Sequence, residues 1–176
     1  IGYQRFKKMH NIWRNEHADW KTKKRLYVTY IQSTVLHGCE AWVMDEKTEK
    51  ALNSFNSKCL AVLTGRSIRE EATDPSHNMV AAAFERRRRW VGHVLRMDDG
   101  RLAKQTLKAT FNEDKEVMSS LVGRLVNGRD CTWEDLEEMA EDRSEWRKES
   151  KKVTKELVTQ NRKGTVRRNP SRRCKE

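Results

Sequence analysis

The chain has 176 residues, 36% of them hydrophobic and 36% charged, so any core it builds is thin for its length. Its 37 Lys and Arg against 26 Asp and Glu leave a formal net charge of +11, which calls for an anionic partner, nucleic acid first and a membrane surface second. No run approaches the roughly 20 apolar residues of a membrane span, the first residues lack the order of a signal peptide, and 2 Pro and 8 Gly are too few for the closely spaced turns of a β-sandwich or barrel. The expectation is therefore an all-α protein, an irregular bundle of about five to six helices with a disordered basic C-terminal tail. It is expected to be intracellular, nuclear and cytoplasmic, and not secreted or bound to a membrane. Because it opens without Met inside an amphipathic pattern, it is read as a fragment or a processed product.

Residues 3 to 16 space Phe6, Met9, Ile12 and Trp13 as one short amphipathic helix that packs through Trp13. Leu26, Tyr27, Tyr30, Ile31, Thr34 and Val35 form the seam of a second, whose first turn carries Lys21, Lys23, Lys24 and Arg25. Cations there oppose the helix dipole by a few tenths of a kcal/mol each. Gly38 ends that helix before Trp42, and Asp45 is a fitting N-cap for a third, with a stripe of Leu52, Phe55, Cys59, Val62 and Leu63 closed by Gly65.

Asp74-Pro75 reads as a cap followed by a helix-starting Pro. The helix it opens contains four consecutive arginines, Arg86 to Arg89, running into Trp90-Val91-Gly92-His93-Val94-Leu95-Arg96-Met97. At about 100° per residue, Val80, Ala83, Phe84, Trp90, Val91, Val94 and Leu95 share an arc of about 140°, while Arg86, Arg89, His93 and Arg96 gather within about 80° on the other side. The second set is a cationic stripe suited to a polyanion. Arg87 lands inside the apolar arc and would have to snorkel out. Gly92 is read as a place for close helix packing. Asp98-Asp99-Gly100 stops the helix, and a short helix from Arg101 to Phe111 adds Arg101 and Lys104 to the basic set.

From Asn112 to Cys131 the periodicity fades into a flexible basic loop. Thr132, with Asp135 three residues on, caps a helix carrying Leu136, Met139, Ala140, Arg143 and Trp146 and continuing weakly through Val153 and Leu157. Eight acidic residues stand against three basic ones between Trp133 and Glu149, so this helix is expected to be locally negative, to hold no nucleic acid itself and to pair with basic surface elsewhere. The domain reading is 1–65, 74–111, 112–131 (loop), 132–161 (acidic helix) and 162–176 (basic disordered tail). Trp13, Tyr27, Trp42, Phe55, Phe84, Trp90, Val94 and Trp146 are assigned to the core, the tryptophans as packing rings and not as base-stacking platforms. Cys39, Cys59, Cys131 and Cys174 are widely spaced and are read as reduced structural thiols; no metal site, cofactor or catalytic residue is expected.

Taken together, these landmarks resemble the C-terminal part of the reverse transcriptase of non-LTR (LINE-type) retrotransposons, beyond the polymerase palm. The pieces are Ile12-Trp13-Arg14, Thr22-Lys23-Lys24-Arg25-Leu26-Tyr27, His37-Gly38-Cys39-Glu40-Ala41-Trp42, Phe55 with Lys58-Cys59-Leu60, Arg89-Trp90-Val91-Gly92-His93-Val94-Leu95-Arg96-Met97 and Ala140-Glu141-Asp142-Arg143-Ser144-Glu145-Trp146-Arg147. The chain departs from the family where His37 replaces an aromatic residue, where Ala61 follows Cys59-Leu60, and at Gly128-Arg129-Asp130. The resemblance implies that residues 1–65 are a thumb-like module and that the chain helps to grip RNA or an RNA·DNA template–primer duplex through its backbone. It also implies that the metal-binding carboxylates and the endonuclease lie in the remainder of the polyprotein, so this chain alone is no enzyme. Two other readings stay open: a protein-interaction module built on the acidic helix and basic tail, and a decayed or domesticated copy.

Overall fold

The computed structural model describes residues 1–42, 44–66, 78–113 and 132–154. Among these the regular structure is helical throughout, with no strand, so the chain is all-α as expected and somewhat richer in helices. It divides into two units, Ile1–Ala83 and Phe84–Glu176.

In the first unit the expected N-terminal helix is two, α1 (Gly2–Lys8) and α2 (His10–Trp13), broken at Met9. The Phe6 carbonyl accepts both the Met9 amide at 3.2 Å and the Trp13 indole N–H at 2.9 Å, which folds the buried Trp13 ring back onto Phe6 with centroids 5.4 Å apart. Asp19 caps α3 by accepting from the Thr22 amide at 3.2 Å. This helix runs Trp20–Leu26, passes into a π-helical segment Tyr27–Gln32 and ends at Ser33–Val35. The wider π turn re-phases the seam. Tyr27 and Ile31 are buried, but Tyr30, expected beside them, is 55% exposed. Hydroxyls of Thr29, Ser33 and Thr34 bond back to the carbonyls of Arg25, Thr29 and Tyr30, a pattern that loosens the α-helical ladder.

Gly38 ends α3 in the left-handed region at φ 68°, where a side chain would be strained. Trp42, expected in the core, is only half-buried after the short Cys39–Ala41 turn. Asp45 then caps α4 (Glu46–Thr64) through the Thr48 amide at 2.7 Å, and Gly65 closes it at φ 70°. Its buried face is Leu52, Asn56, Cys59, Leu60 and Leu63, with Tyr27 Oη donating to Asn56 Oδ1 at 2.7 Å. Phe55 is half-buried and Val62 exposed, so the apolar stripe read from sequence was rotated from the real one. Cys39 and Cys59 are buried thiols, and burial pushes Cys59 up to about 12. Cys131 and Cys174 lie outside the described residues.

The arginine helix, α5 (Met79–Leu95), is capped by Asn78, whose Oδ1 accepts from the Ala81 amide at 3.0 Å; Asp74 and Pro75 lie outside the described residues. In the second unit α6 (Leu102–Glu113) takes in Asn112, where the sequence pattern predicts a loop. Residues 114–131, and 155–176 with the basic tail, lie outside the described set. Thr132 and Asp135 form the expected capping box at α7 (Trp133–Glu141). The expected single acidic helix breaks at Asp142, whose carboxylate accepts from the Ser144 amide at 2.7 Å and the Glu145 amide at 3.3 Å and so caps a separate helix, α8, described over 143–154. The core of this unit is Val91, Val94, Leu95, Leu107, Trp133, Leu136, Ala140, Trp146 and Val153, edged by Phe84, Met97, Phe111 and Met139.

Candidate nucleic-acid interface

The second unit is organised by the contact between α5 and α8. A Cβ built on Gly92 would lie 2.6 Å from Trp146 Cε2 and 2.9 Å from Trp146 Cδ1, so only glycine lets the indole seat against the helix. The indole N–H donates to the Arg88 carbonyl at 3.0 Å. Arg88 in turn is 2% exposed and its guanidinium donates to the Ser150 carbonyl at 3.0 Å and to the Thr154 hydroxyl. Burial lowers the Arg88 pKa to about 10, so the side chain stays charged and works as a strut between the helices. One turn further on, Arg96 Nη1 donates to the Ala140 carbonyl at 2.6 Å. The pairings 88 with 150 and 92 with 146 run in opposite senses, so α5 and α8 are antiparallel, and the contact of 96 with 140 continues that order onto α7.

These contacts turn the helix. Its buried residues over this stretch are Arg87, Arg88, Val91, Gly92, Val94 and Leu95, an arc rotated by roughly 50° from the apolar arc read off the sequence. Two expectations fall here, the first through that rotation and the second without it, because Arg87 lies inside both arcs. Trp90, assigned to the core, stands at the edge of the apolar arc and is 39% exposed, while Arg87, expected to snorkel outward, is 2% exposed. The face of α5 turned inward is the one that seats the Trp146 ring on Gly92, not the one that carries Trp90.

On the open side of the seam lies a groove of about 750 Å³ lined by Glu85, Arg89 and His93 from α5, by Arg96 just past its end, and by Arg143, Trp146, Arg147, Ser150 and Lys151 from α8. The α5 row follows one face at steps of four and three residues; the α8 cations follow another at steps of four. Both rows are therefore continuous, over roughly 16 Å and 12 Å at about 1.5 Å per residue. Five Arg and Lys side chains and His93 face one carboxylate, Glu85, which stands 3.5 Å from Arg89 in an exposed pair of little energetic weight. Arg96 is lowered from its ordinary value first by burial and then by the like charges of Arg143 and Arg147. Arg96 Nε and Ser150 Oγ are buried with no hydrogen-bond partner.

The structure thus gathers three of the four stripe residues, Arg89, His93 and Arg96, into one concavity, and leaves half-buried Arg86 outside its lining. Arg101 is exposed at the start of α6 and does not line the groove. Lys104, expected in the basic set, is a largely buried residue whose ammonium is paired with Asp99 Oδ1 at 2.7 Å and Glu137 Oε1 at 2.6 Å, so it braces the fold and lies outside the groove lining. In the first unit Lys21 and Arg25 are exposed and Lys23 and Lys24 half-buried on α3, with the Asp19 cap offsetting the nearest of them.

Arg143, Arg147 and Lys151 were missed because the acidic count of residues 133–149 hid them. Spacing was the available signal: three cations at i, i+4 and i+8 form one face whatever the sum of charges around the helix. Among the described residues no three His, Cys, Asp or Glu side chains come together as a metal site, and no helix is long and apolar enough to cross a membrane. No family model, curated protein or solved structure matches the chain.

Proposed function

We propose that this protein binds the phosphate backbone of RNA or RNA·DNA without reading sequence, chiefly through the α5–α8 groove, with Lys21, Lys23, Lys24 and Arg25 as a separate basic set on the first unit. In the setting implied by the resemblance to non-LTR reverse transcriptases, it would serve as a non-catalytic grip on template and primer. The observation that carries this reading is the pair of like-charged rows facing one another across the groove with a single carboxylate in the lining. Such an arrangement repels itself when empty. A polyanion relieves that repulsion and releases its own counterions on binding.

The test separates the groove from bulk charge. Arg143→Gln with Arg147→Gln removes two cations from the groove, and Lys47→Gln with Lys58→Gln removes two exposed cations from α4, at equal net charge. Anisotropy titration of a labelled RNA should show the groove pair weakened by about tenfold or more and the α4 pair nearly unchanged. Equal losses in both would reduce the binding to net charge and refute the groove.

A further inference from the structure

We infer that the groove takes a single nucleic-acid strand, phosphates between the two cationic rows and a base stacked on Trp90 at its rim. This rests on the backbone-binding reading above and adds to it the form of the ligand. Two features of the site lead there.

The first is the narrowness of the groove. It is a surface cleft between two helices packed closely enough for Gly92 to touch the Trp146 ring, and helix axes in such contact stand about 8 to 10 Å apart, so the two cationic rows rise from neighbouring ridges. One phosphodiester strand can lie between the rows. A duplex can only rest across them and present one of its strands at a time.

The second is Trp90. Trp146 lines the groove, but it is 3% exposed and hydrogen-bonded to Arg88, so it offers no free ring face. Trp90 is 39% exposed, so part of its ring is open to a ligand. At about 100° per residue the accessible strip of α5 reads Arg89, His93, Arg86, Trp90 across roughly 100° of the helix, so Trp90 stands about 60° beyond the His93 edge of the groove, with Arg86 between them. It is also the i+4 neighbour of Arg86 and the i−3 neighbour of His93. A nucleotide whose phosphate sits among Arg89, His93 and Arg96 therefore has an aromatic surface within reach of its base. Cationic tracks with flanking aromatics are how proteins hold unpaired strands of any sequence, because every base has a π face and a base inside a duplex has none to give.

The experiment uses the full chain and three labelled probes of equal length: octauridylate, the same strand with abasic residues, and an RNA·DNA duplex. Wild type, Trp90→Ala and Trp90→Phe are compared. One stacked base should make wild type bind octauridylate roughly 5- to 100-fold more tightly than the abasic strand. Trp90→Ala should erase that ratio while keeping abasic binding, and Trp90→Phe should retain most of it. The inference is overturned if wild type binds intact and abasic strands alike, if it prefers the duplex, or if Trp90→Ala lowers both single strands equally. The comparison within wild type stands whether or not the alanine variant folds. Failure of wild type to bind any of the three probes would instead overturn the backbone-binding reading itself.

Discussion

Replacing Gly92 with Ala sets two effects of known size against each other. In a helix interior the change by itself favours Ala by about 0.8 to 1 kcal/mol. Here the new methyl would lie 2.6 Å from Trp146 Cε2 and 2.9 Å from Cδ1, and a normal carbon contact is about 3.5 to 4.0 Å, so ring or helix must retreat by roughly 1 Å. The ring is not a loose end that can swing aside: it is 3% exposed and its N–H is held by the Arg88 carbonyl at 3.0 Å. Overpacking of this kind costs about 1 to 3 kcal/mol, and loss of the buried indole hydrogen bond adds about 1 to 3 more. Gly92→Ala should therefore destabilise by roughly 1 to 5 kcal/mol, read as a lower urea midpoint by circular dichroism at unchanged slope. In a Trp146→Phe background, which lacks the Nε1 that the methyl strikes, the same substitution should become nearly neutral or stabilising. An increase of about 1 kcal/mol from Gly92→Ala alone would show that helix propensity decides, and would refute the account of how α5 and α8 meet.

Three further outcomes are expected. Lys104→Met should lower the melting temperature, because it leaves Glu137 without its buried partner, yet change RNA affinity less than any groove substitution; a large selective loss of binding would restore Lys104 to the interface. Asp45, Asp135 and Asp142 are held below the ordinary carboxylate value of 3.8 by hydrogen bonds from Thr48, Thr132 and Ser144 respectively. Their folded pKa is depressed, so their contribution is complete above about pH 4 and is lost as pH falls through the lower folded values; melting followed down from pH 5 should show the decline, and Asp45→Asn with Asp142→Asn should flatten it. The purified chain with Mg²⁺ or Mn²⁺ should extend no primer, and metal-dependent incorporation of nucleotides would overturn its proposed non-catalytic role.

The features legible in the sequence are those with local chemistry. Asp45, Gly38, Gly65 and the Thr132–Asp135 box end or start helices by satisfying backbone groups within a few residues, and each stands where it was read. The cap at Asp142 carried the same kind of signal, with Glu145 three residues on, but the apolar stripe through Ala140, Trp146 and Val153 ran past it and masked the break. Which face of α5 is buried was not legible, since it depends on what the other helix brings to the contact. A partner with a large ring seats on the glycine, and so Arg88 goes in and Trp90 comes out. The half of the groove on α8 was hidden by net charge, a sum that carries no direction. The π turn at Tyr27–Gln32 has no counterpart in a regular 3.6-residue pattern, and Tyr30 was misplaced for that reason.

The most direct test of the central claim is the salt dependence of binding. Affinity of wild type and of Arg89→Gln/Arg143→Gln/Arg147→Gln for octauridylate, measured over a range of salt concentrations, gives two log–log lines. Arg96 is left in place because it also holds the Ala140 carbonyl. Three lost phosphate contacts should make the slope shallower by about 2, at about 0.7 per contact for a single strand, and weaken binding most at low salt, with the melting temperature within a few degrees of wild type. Parallel lines of equal affinity from a folded variant would mean that no phosphate lies in the groove.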